Sequence, residues 1–345
     1  MKKAAFFGER QERLDYVYAQ GRRDQVSNLV DLYPHRVDLS TFDEHVKNLQ
    51  DLEVIFTTWG MSQLQNEHLD QLPNLKIVFY GAGSVQSFAR PLLNRNIKVC
   101  SAWRANAVPV AEYTLAQILL ANKGYYRNIR DCQTREGRTS NPFKGRGNFG
   151  ATVALLGAGA IGSILINLLK PFHLNIIVFD PFLPDGRAQA LGVKKVSLEE
   201  AFSQGDVVSN HLANNAQTKG MLHGAHFSKM QDHTTFINTG RGATVVEADL
   251  INELQKRPTL TALLDVTLPE PPEQDSPFYT LPNVYLTSHI AGSLNDEVVR
   301  MADYMIEDGA MPWDVDRAVE AYGLPMGPFR VMDLAGLDIA WAPRK

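Results

Sequence analysis

The sequence predicts an α/β protein of about two domains, each built on a parallel β-sheet. Its 345 residues are enough for two domains of ordinary size, and 44% hydrophobic with 21% charged residues is typical of a globular chain. Short apolar runs alternate with amphipathic stretches along the chain. One run, Thr152–Leu156, is apolar on both faces, as a central parallel strand is.

The first hundred residues predict a small doubly wound unit, because each apolar run is followed by a polar or glycine-rich connection. The candidate strands are Ala4–Phe7, Arg36–Asp38, Val54–Thr57, Lys76–Tyr80 and Lys98–Ser101.

The character of the chain changes near Ser101. Pro109 suits the first turn of a helix, and helical spacing continues toward Cys132 with an apolar face wide enough to bury against another subunit. Six further strands follow in a repeated β-α rhythm: Thr152–Leu156, Ile176–Asp180, Val207–His211, Thr235–Asn238, Leu260–Asp265 and Val284–Thr287. A helix predicted from Ser293 onward then returns the chain to the first domain.

Charge and cysteine content exclude several functional classes. The formal net charge of -4 and the pI near 6.1 indicate no broad attraction to nucleic acid or to an anionic membrane. The basic stretch 127–146 is interpreted as a solvated helix end and loop. Cys100 and Cys132 are too few for a disulfide framework, and no apolar run approaches the length of a membrane span. We therefore expect a cytoplasmic protein with no membrane or nucleic-acid partner.

The segment Gly157–Gly162 matches G-x-G-x-x-G, with Ala160 and Ile161 between its last two glycines. It follows a buried strand, opens a helix, and precedes Asp180 at the end of the next strand, which are the contexts that a dinucleotide-binding turn requires. Such a turn presents backbone N–H groups and a helix N-terminus to a pyrophosphate. Asp180 suits ribose hydroxyls and repels a 2′-phosphate, so NAD is favoured over NADP. A tight turn with no ligand is the alternative.

Three later strand ends carry candidates for chemistry: Arg241 between two glycines, Glu270 after Asp265, and His289. A guanidinium can hold a carboxylate with two parallel hydrogen bonds. An imidazole can move the proton of an alcohol, and a nearby carboxylate would orient it. Each residue alone also fits an ordinary surface or strand-end position, but their order along successive strand ends favours a shared site.

By these motifs, the glycine turn with Asp180 and the strand ends with Arg241, Asp265, Glu270 and His289, residues 50–308 resemble the D-2-hydroxyacid dehydrogenase family. This family includes phosphoglycerate, glycerate and formate dehydrogenases. The resemblance implies that Arg241 binds the substrate carboxylate, that His289 is the acid/base with Glu270 as its partner, and that Asp265 holds the nicotinamide carboxamide. It also implies that backbone amides of Ala82, Gly83 and Ser84 bind the carboxylate. Further residues implied to line the cofactor are Leu212, Ala213, Thr218, Thr239, Gly240 and Gly292.

The resemblance implies a Rossmann-type NAD domain, residues 102–294, inserted in a flavodoxin-like substrate domain, residues 1–101 with 295–309. It further implies a homodimer formed through the cofactor domain, and a small 2-keto or 2-hydroxy acid as substrate. The alternatives are a corepressor that senses NAD(H) without turnover and, on the tail alone, a 3-hydroxyacyl-CoA dehydrogenase.

The tail, residues 310–345, departs from this pattern. Leu324–Arg330 and Asp333–Asp338 resemble the C-terminal domain of 3-hydroxyacyl-CoA dehydrogenases, in which such a segment is a helix, a Gly-Pro turn and the next helix. The sequence fits either a natural fusion or a chimera. Because fewer than ~40 residues rarely fold alone, the tail is interpreted as an atypical appendage that adds no catalysis.

Overall fold

The computed structural model describes residues 1–140 and 142–306. Contacts within the chain separate two compact units, one of residues 1–103 with the described residues from Val298 onward, the other of residues 104–297. Both are parallel sheets flanked by helices, so the predicted α/β class is confirmed. The functional labels of the predicted domains stay predictions, since contacts alone do not test them. The predictions on residues 310–345 lie outside the described residues.

The first unit contains a five-stranded parallel sheet in the order β2-β1-β3-β4-β5, the strand order of flavodoxin-like folds. Its strands are β1 (Lys3–Phe6), β2 (Asp31–Leu32), β3 (Val54–Thr57), β4 (Ile77–Tyr80) and β5 (Lys98–Ser101). Its helices are α1 (Gln11–Val17), α2 (Arg22–Leu29), α3 (Phe42–His45), α4 (Asn66–Asp70), α5 (Ala89–Asn94) and, after the chain returns, α14 (Val299–Ile306).

The central strands of this sheet are fully buried. Every residue of β3 and β4 is buried, because helices cover both faces of the sheet. The returning α14 carries Asp303, which accepts hydrogen bonds of 2.8 and 2.9 Å from the Arg22 guanidinium.

The prediction of a strand at Arg36–Asp38 is wrong. Only a single bridge between Phe7 and Val37 forms there, and the edge strand lies earlier, at β2.

The second unit contains a seven-stranded parallel sheet in the order β12-β11-β10-β9-β6-β7-β8. The six strands around β6 have the order of a complete dinucleotide-binding sheet, and β12 extends it by one strand. The strands are β6 (Phe149–Leu156), β7 (His173–Phe179), β8 (Lys194–Lys195), β9 (Val207–Asn210), β10 (Thr235–Asn238), β11 (Thr261–Leu264) and β12 (Val284–Leu286). The two-residue β8 was not predicted, since it is too short to give a periodic signal.

The helices of the second unit are α6 (Trp103–Asn122), α7 (Tyr125–Asp131), α8 (Arg135–Thr139), α9 (Ala160–Leu169), α10 (Asp185–Leu191), α11 (Leu198–Gln204), α12 (Gly224–Phe227) and α13 (Glu247–Lys256). The continuous helix predicted toward Cys132 is interrupted at Gly124, whose φ of +72° is left-handed. A side chain at Gly124 would also meet Phe143 and the Gly145 backbone. No helix in the described ranges is both long and apolar enough to cross a membrane.

Candidate active site

The candidate residues of the second unit follow strands of one parallel sheet. The turn 157–162 follows β6, Asp180 follows β7, His211 and Leu212 follow β9, Thr239 to Arg241 follow β10, Asp265 follows β11 and His289 follows β12. Because the carboxyl ends of parallel strands meet at one edge, these residues share the edge at which α/β sheets bind ligands.

The glycine turn has the geometry that a dinucleotide requires. Gly157 has a φ of +101°, and a Cβ there would lie 3.1 Å from the carbonyl oxygen of His211. A Cβ on Gly162 would lie 2.2 Å from the Gly157 carbonyl oxygen, so only glycine allows α9 to start this close to the strand. By contrast, a Cβ on Gly159 meets nothing within 4 Å. Gly159 therefore leaves open space at the start of α9.

The start of α9 fits a pyrophosphate. Its N-cap is Gly159, and no side chain caps the helix, so its first N–H groups have no side-chain acceptor. The helix dipole adds positive potential at the same place. An open space, uncapped N–H groups and a glycine backbone together match the phosphate end of NAD.

Asp180 is held beside this turn. One carboxylate oxygen accepts the Ala158 N–H at 2.8 Å, and the other accepts the Phe182 N–H at 2.9 Å. Both bonds fix the carboxylate in orientation while leaving lone pairs on each oxygen. The residue is thus positioned to accept hydrogen bonds from ribose hydroxyls.

Polar side chains join the ends of the neighbouring strands β9 and β10. The Asn210 amide donates to Asn238 Oδ1 at 3.0 Å and to Thr244 Oγ1 at 2.8 Å, and all three residues are buried. Thr239 Oγ1 lies 3.4 Å from His211 Nδ1, while Ser209 Oγ lies 2.9 Å from His211 Nε2. Burial lowers the pKa of His211 to about 4, so this imidazole is neutral near neutral pH.

The loop after β9 closes on itself through Thr218, whose hydroxyl donates to the Ala213 carbonyl and accepts the Asn215 N–H at 3.0 Å. The Leu212 N–H donates to Asn210 Oδ1 at 3.1 Å. At the other end of the edge, a Cβ on Gly292 would lie 3.2 Å from Asn106 Oδ1. Leu212, Ala213 and Thr218, which are predicted to line the cofactor, are therefore held by local hydrogen bonds.

Arg241 is exposed at the end of β10. Its Nη1 donates to the Gly240 carbonyl at 2.7 Å, and the Gly240 N–H donates to Asn238 Oδ1 at 3.1 Å. No ion pair to Arg241 occurs among the residues that the structure describes. The guanidinium keeps donors for an anionic ligand.

Asp265 is almost completely buried, and both of its oxygens hold the loop that carries His289. Oδ1 accepts the Thr287 hydroxyl at 2.6 Å and the Ile290 N–H at 2.8 Å, and Oδ2 accepts the Ala291 N–H at 3.0 Å. His289 itself has a φ of +59°, a conformation that costs a non-glycine residue free energy. The three hydrogen bonds from residues flanking His289 explain how this backbone is maintained.

His289 and Glu270 form the pair that the sequence predicted. Nδ1 of His289 lies 2.6 Å from Glu270 Oε1, and both side chains are a little under half exposed. Since a carboxylate accepts, Nδ1 donates, and Nε2 is left to exchange a proton with a ligand. The structure thus brings an imidazole oriented by a carboxylate to the sheet edge.

Glu247, which no sequence motif marks, holds the loop that carries Glu270. Its Oε1 accepts the Leu268 N–H at 2.7 Å, and burial raises the pKa of Glu247. Tyr113 was also missed, and its hydroxyl lies 3.2 Å from Thr287 Oγ1. The partners of both residues lie far away in sequence, so no local signal could have found them.

In the first unit, the three backbone amides predicted to bind the carboxylate follow β4 and differ in their hydrogen bonding. The Ala82 N–H donates to the Tyr80 carbonyl at 2.8 Å. Within the described ranges, no backbone hydrogen bond uses the N–H groups of Gly83 and Ser84. Ser101 Oγ donates to the Ala82 carbonyl at 2.9 Å and fixes the loop. Gly83 and Ser84 therefore retain N–H groups for a ligand.

Comparison with known proteins identifies the second unit. A sequence profile of the D-isomer specific 2-hydroxyacid dehydrogenase, NAD binding domain, matches residues 115–291. A second profile, the 3-hydroxyacyl-CoA dehydrogenase C-terminal domain, matches residues 285–345. Both resemblances predicted from the sequence are confirmed.

Individual relatives agree with the first profile. The chain is 28% identical to the D-3-phosphoglycerate dehydrogenase of Archaeoglobus fulgidus over 268 residues, which cover 77% of this chain and 50% of the relative. It is 37% identical to a putative 2-hydroxyacid dehydrogenase of Bacillus subtilis over 152 residues, 44% of this chain and 43% of that one. The chain spans about half the length of these curated relatives.

Among solved structures, a phosphoglycerate oxidoreductase from Rhizobium etli superposes with a TM-score of 0.71 at 23% identity. The match covers 94% of this chain and 96% of that one. At this identity the likeness establishes the fold.

Proposed function

Because the chain belongs to the D-isomer specific 2-hydroxyacid dehydrogenase family and contains its NAD-binding domain, we propose that it interconverts a small 2-keto acid and a D-2-hydroxy acid. The observation that carries this proposal is the 2.6 Å contact between His289 and Glu270 on the sheet edge that also bears the glycine turn. When bound, NAD(H) supplies or accepts the hydride.

In this proposal His289 moves the proton of the reacting oxygen. Glu270 accepts from Nδ1 and orients the imidazole, so that Nε2 faces the ligand and can donate to the oxygen on which negative charge develops during reduction. In the reverse direction, the same nitrogen takes the proton of the hydroxyl group. The partial exposure of the pair keeps the exchange of protons with solvent open between turnovers.

Arg241 would bind the substrate carboxylate and polarise the adjacent carbonyl, since its guanidinium is exposed and free of an acidic partner within the described ranges. The Gly83 and Ser84 amides of the first unit are proposed to add hydrogen bonds to the carboxylate. Asp180 would favour NAD over NADP by repelling a 2′-phosphate.

Steady-state oxidation of NADH over a panel of glyoxylate, pyruvate, hydroxypyruvate and longer keto acids tests the activity. We expect turnover with at least one of them, a strong preference for NADH over NADPH, and loss of about 10²–10⁴-fold in kcat for His289→Asn. A purified, folded chain that binds NADH with nanomolar affinity but does not oxidise it in the presence of any keto acid would favour the corepressor alternative.

The match of residues 285–345 gives the acyl-CoA alternative a specific test. We propose that the tail adds no catalysis, and we expect acetoacetyl-CoA to be a poor substrate. The discriminating result is its kcat/KM relative to the best keto acid. A higher value for acetoacetyl-CoA would contradict the assignment.

We also infer that the protein is a homodimer formed through the second unit. Apolar side chains on α6 and α7 remain exposed, with Leu120 at 39%, Tyr125 at 44% and Ile129 at 36%. Light scattering on the full chain should give twice the monomer mass, and Tyr125→Glu should shift the mass to that of one chain. The expected cytoplasmic location stays a prediction.

A further inference from the structure

The segment that carries Glu270 has little packing of its own. Leu268, Pro269 and Glu270 are exposed, Leu268 by 55%. Upstream, the Asp265 N–H donates to the Asn238 carbonyl at 3.0 Å, which joins the start of this segment to the end of β10. Because exposed side chains bury little apolar surface, the position of Glu270 depends on hydrogen bonds to the backbone of the segment.

Glu247, the first residue of α13, holds the middle of this segment. Its Oε1 accepts the Leu268 N–H at 2.7 Å, and the residue is partly buried. Among the residues that the structure describes, no cation forms an ion pair with Glu247. Thr267 Oγ1 donates to the Pro269 carbonyl at 2.8 Å and adds a second restraint across the same peptide. The segment is therefore fixed two residues before Glu270.

The turn that begins at Arg241 lies directly against the same segment. A Cβ on Gly242, which is buried, would lie 2.1 Å from the Thr267 carbonyl carbon and 2.7 Å from the Leu268 nitrogen. The Leu268 nitrogen is thus close to the Gly242 backbone and is also bonded to a carboxylate on α13. Because both supports belong to the second unit, Glu270 keeps a defined place relative to Arg241.

We propose that Glu247 is a positioning residue for the acid/base pair: by holding Leu268, it keeps Glu270 within hydrogen-bond distance of His289. Within the described ranges no hydrogen bond joins Glu247 to Glu270 or to His289, so the effect passes through the backbone of the segment. This inference rests on the proposed function, in which Nε2 of His289 exchanges a proton with the substrate oxygen. Displacement of Glu270 would free the imidazole to rotate, and proton transfer would lose its alignment.

Three variants of Glu247 separate the hydrogen bond from the space that the side chain fills. Glu247→Ala removes the acceptor, Glu247→Leu fills the volume without an acceptor, and Glu247→Gln keeps an acceptor oxygen at the same length. Asp249→Ala is the matched control. Asp249 lies on the same helix, is also partly buried, and accepts one backbone N–H at 2.8 Å, that of Gly224 on α12.

We expect Glu247→Ala and Glu247→Leu to lower kcat for the best keto acid by about 10–100-fold, with KM and NADH affinity changed less than about threefold. Glu247→Gln should recover most of the loss, since its amide oxygen accepts the Leu268 N–H. Asp249→Ala should lower Tm but leave kcat within about threefold of wild type. Equal losses of kcat in Glu247→Ala and Asp249→Ala, or wild-type kcat in both Glu247→Ala and Glu247→Leu, would overturn the proposal.

A double-mutant cycle with Glu270 tests whether Glu247 acts through that residue. Once Glu270→Ala has removed the partner of His289, adding Glu247→Ala should lower kcat by less than about twofold further, because nothing is left to position. Two losses of kcat that multiply in the double variant would show that Glu247 acts on the reaction by another route and would overturn the proposal.

Nuclear magnetic resonance of isotope-labelled histidine keeps this inference separate from the activity. The ring nitrogen shifts report which nitrogen carries the proton, and His289→Asn identifies the signals of His289. Wild type and Glu247→Gln should show His289 protonated on Nδ1, and Glu247→Ala should lose this preference. If no keto acid is turned over, the proposed function fails, while unchanged His289 signals in Glu247→Ala would overturn this inference. If Glu247→Ala does not fold, Glu247→Leu decides.

Discussion

Asp265 offers the sharpest test of how the site is assembled. The family resemblance implies contact with the cofactor, whereas the structure uses both carboxylate oxygens to hold the loop around His289. Asp265→Asn changes this arrangement with almost no change in volume. The amide keeps one acceptor oxygen and replaces the other by a donor.

The expected cost follows from the three hydrogen bonds. If the amide oxygen faces Thr287 and Ile290, these bonds weaken from charge-assisted to neutral strength, and the Ala291 N–H faces an NH₂ group. A charge-assisted bond contributes roughly 1.5–3 kcal/mol and a neutral one about 1 kcal/mol, so the buried site loses about 2–4 kcal/mol. For a unit of this size that corresponds to a fall of about 5–10 °C in Tm.

Loosening of the loop should also displace His289, whose left-handed backbone depends on these bonds. We expect kcat/KM to fall about 10–100-fold, mainly in kcat, with NADH affinity changed less than about threefold. Thermal unfolding, steady-state kinetics and NADH titration measure the three quantities. Asp249→Asn is the matched control, because Asp249 in the same unit accepts one backbone N–H, that of Gly224, at 2.8 Å.

Two outcomes would refute this reasoning. Unchanged Tm and activity in Asp265→Asn would show that the three bonds do not hold the loop. A large loss of NADH affinity with unchanged kcat would place the carboxylate against the cofactor, as the resemblance implied.

Three further predictions concern the second unit. Gly159→Ala should leave Tm unchanged, since a Cβ there meets nothing within 4 Å, but it should weaken NADH binding at least about tenfold. Gly162→Ala should instead destabilise the fold by about 2 kcal/mol or more, because its Cβ would lie 2.2 Å from a carbonyl oxygen. Equal NADH affinity of wild type and Gly159→Ala in a calorimetric titration would contradict the prediction for Gly159. Burial lowers the pKa of His211 from 6.5 to about 4, so this group contributes stability above pH 6.5 that is lost as the pH falls toward 4. Urea unfolding at several pH values should show that the free energy of unfolding falls less steeply with falling pH in His211→Gln than in wild type. Equal pH dependence of the two proteins would contradict the lowered pKa of His211. Burial raises the pKa of Glu247 above 4.5, so its contribution falls as the pH rises through the raised pKa; Glu247→Gln should remove this dependence just above pH 4.5 and be at least as stable at pH 7, as the same urea series would show.

The sequence determined those features that arise from consecutive residues. The glycine spacing at 157–162 is sufficient for a tight strand–helix turn, because Gly157 has a positive φ and a Cβ on Gly162 would clash with the Gly157 carbonyl oxygen inside the turn itself. Runs apolar on both faces likewise identify buried parallel strands, since only a covered sheet makes such runs stable. The fold class and the cofactor turn follow from these local signals.

The tertiary structure decided how distant residues combine. The edge strand moved to Asp31–Leu32, because pairing with β1 depends on where the chain returns to the sheet. The anchoring of Leu268 by Glu247 and the enclosure of Asp265 by Thr287, Ile290 and Ala291 join residues about twenty or more positions apart. A hydrogen bond of that kind needs both elements in place before either side chain has a partner, so the sequence supplied the candidate acid and base while packing fixed what holds them.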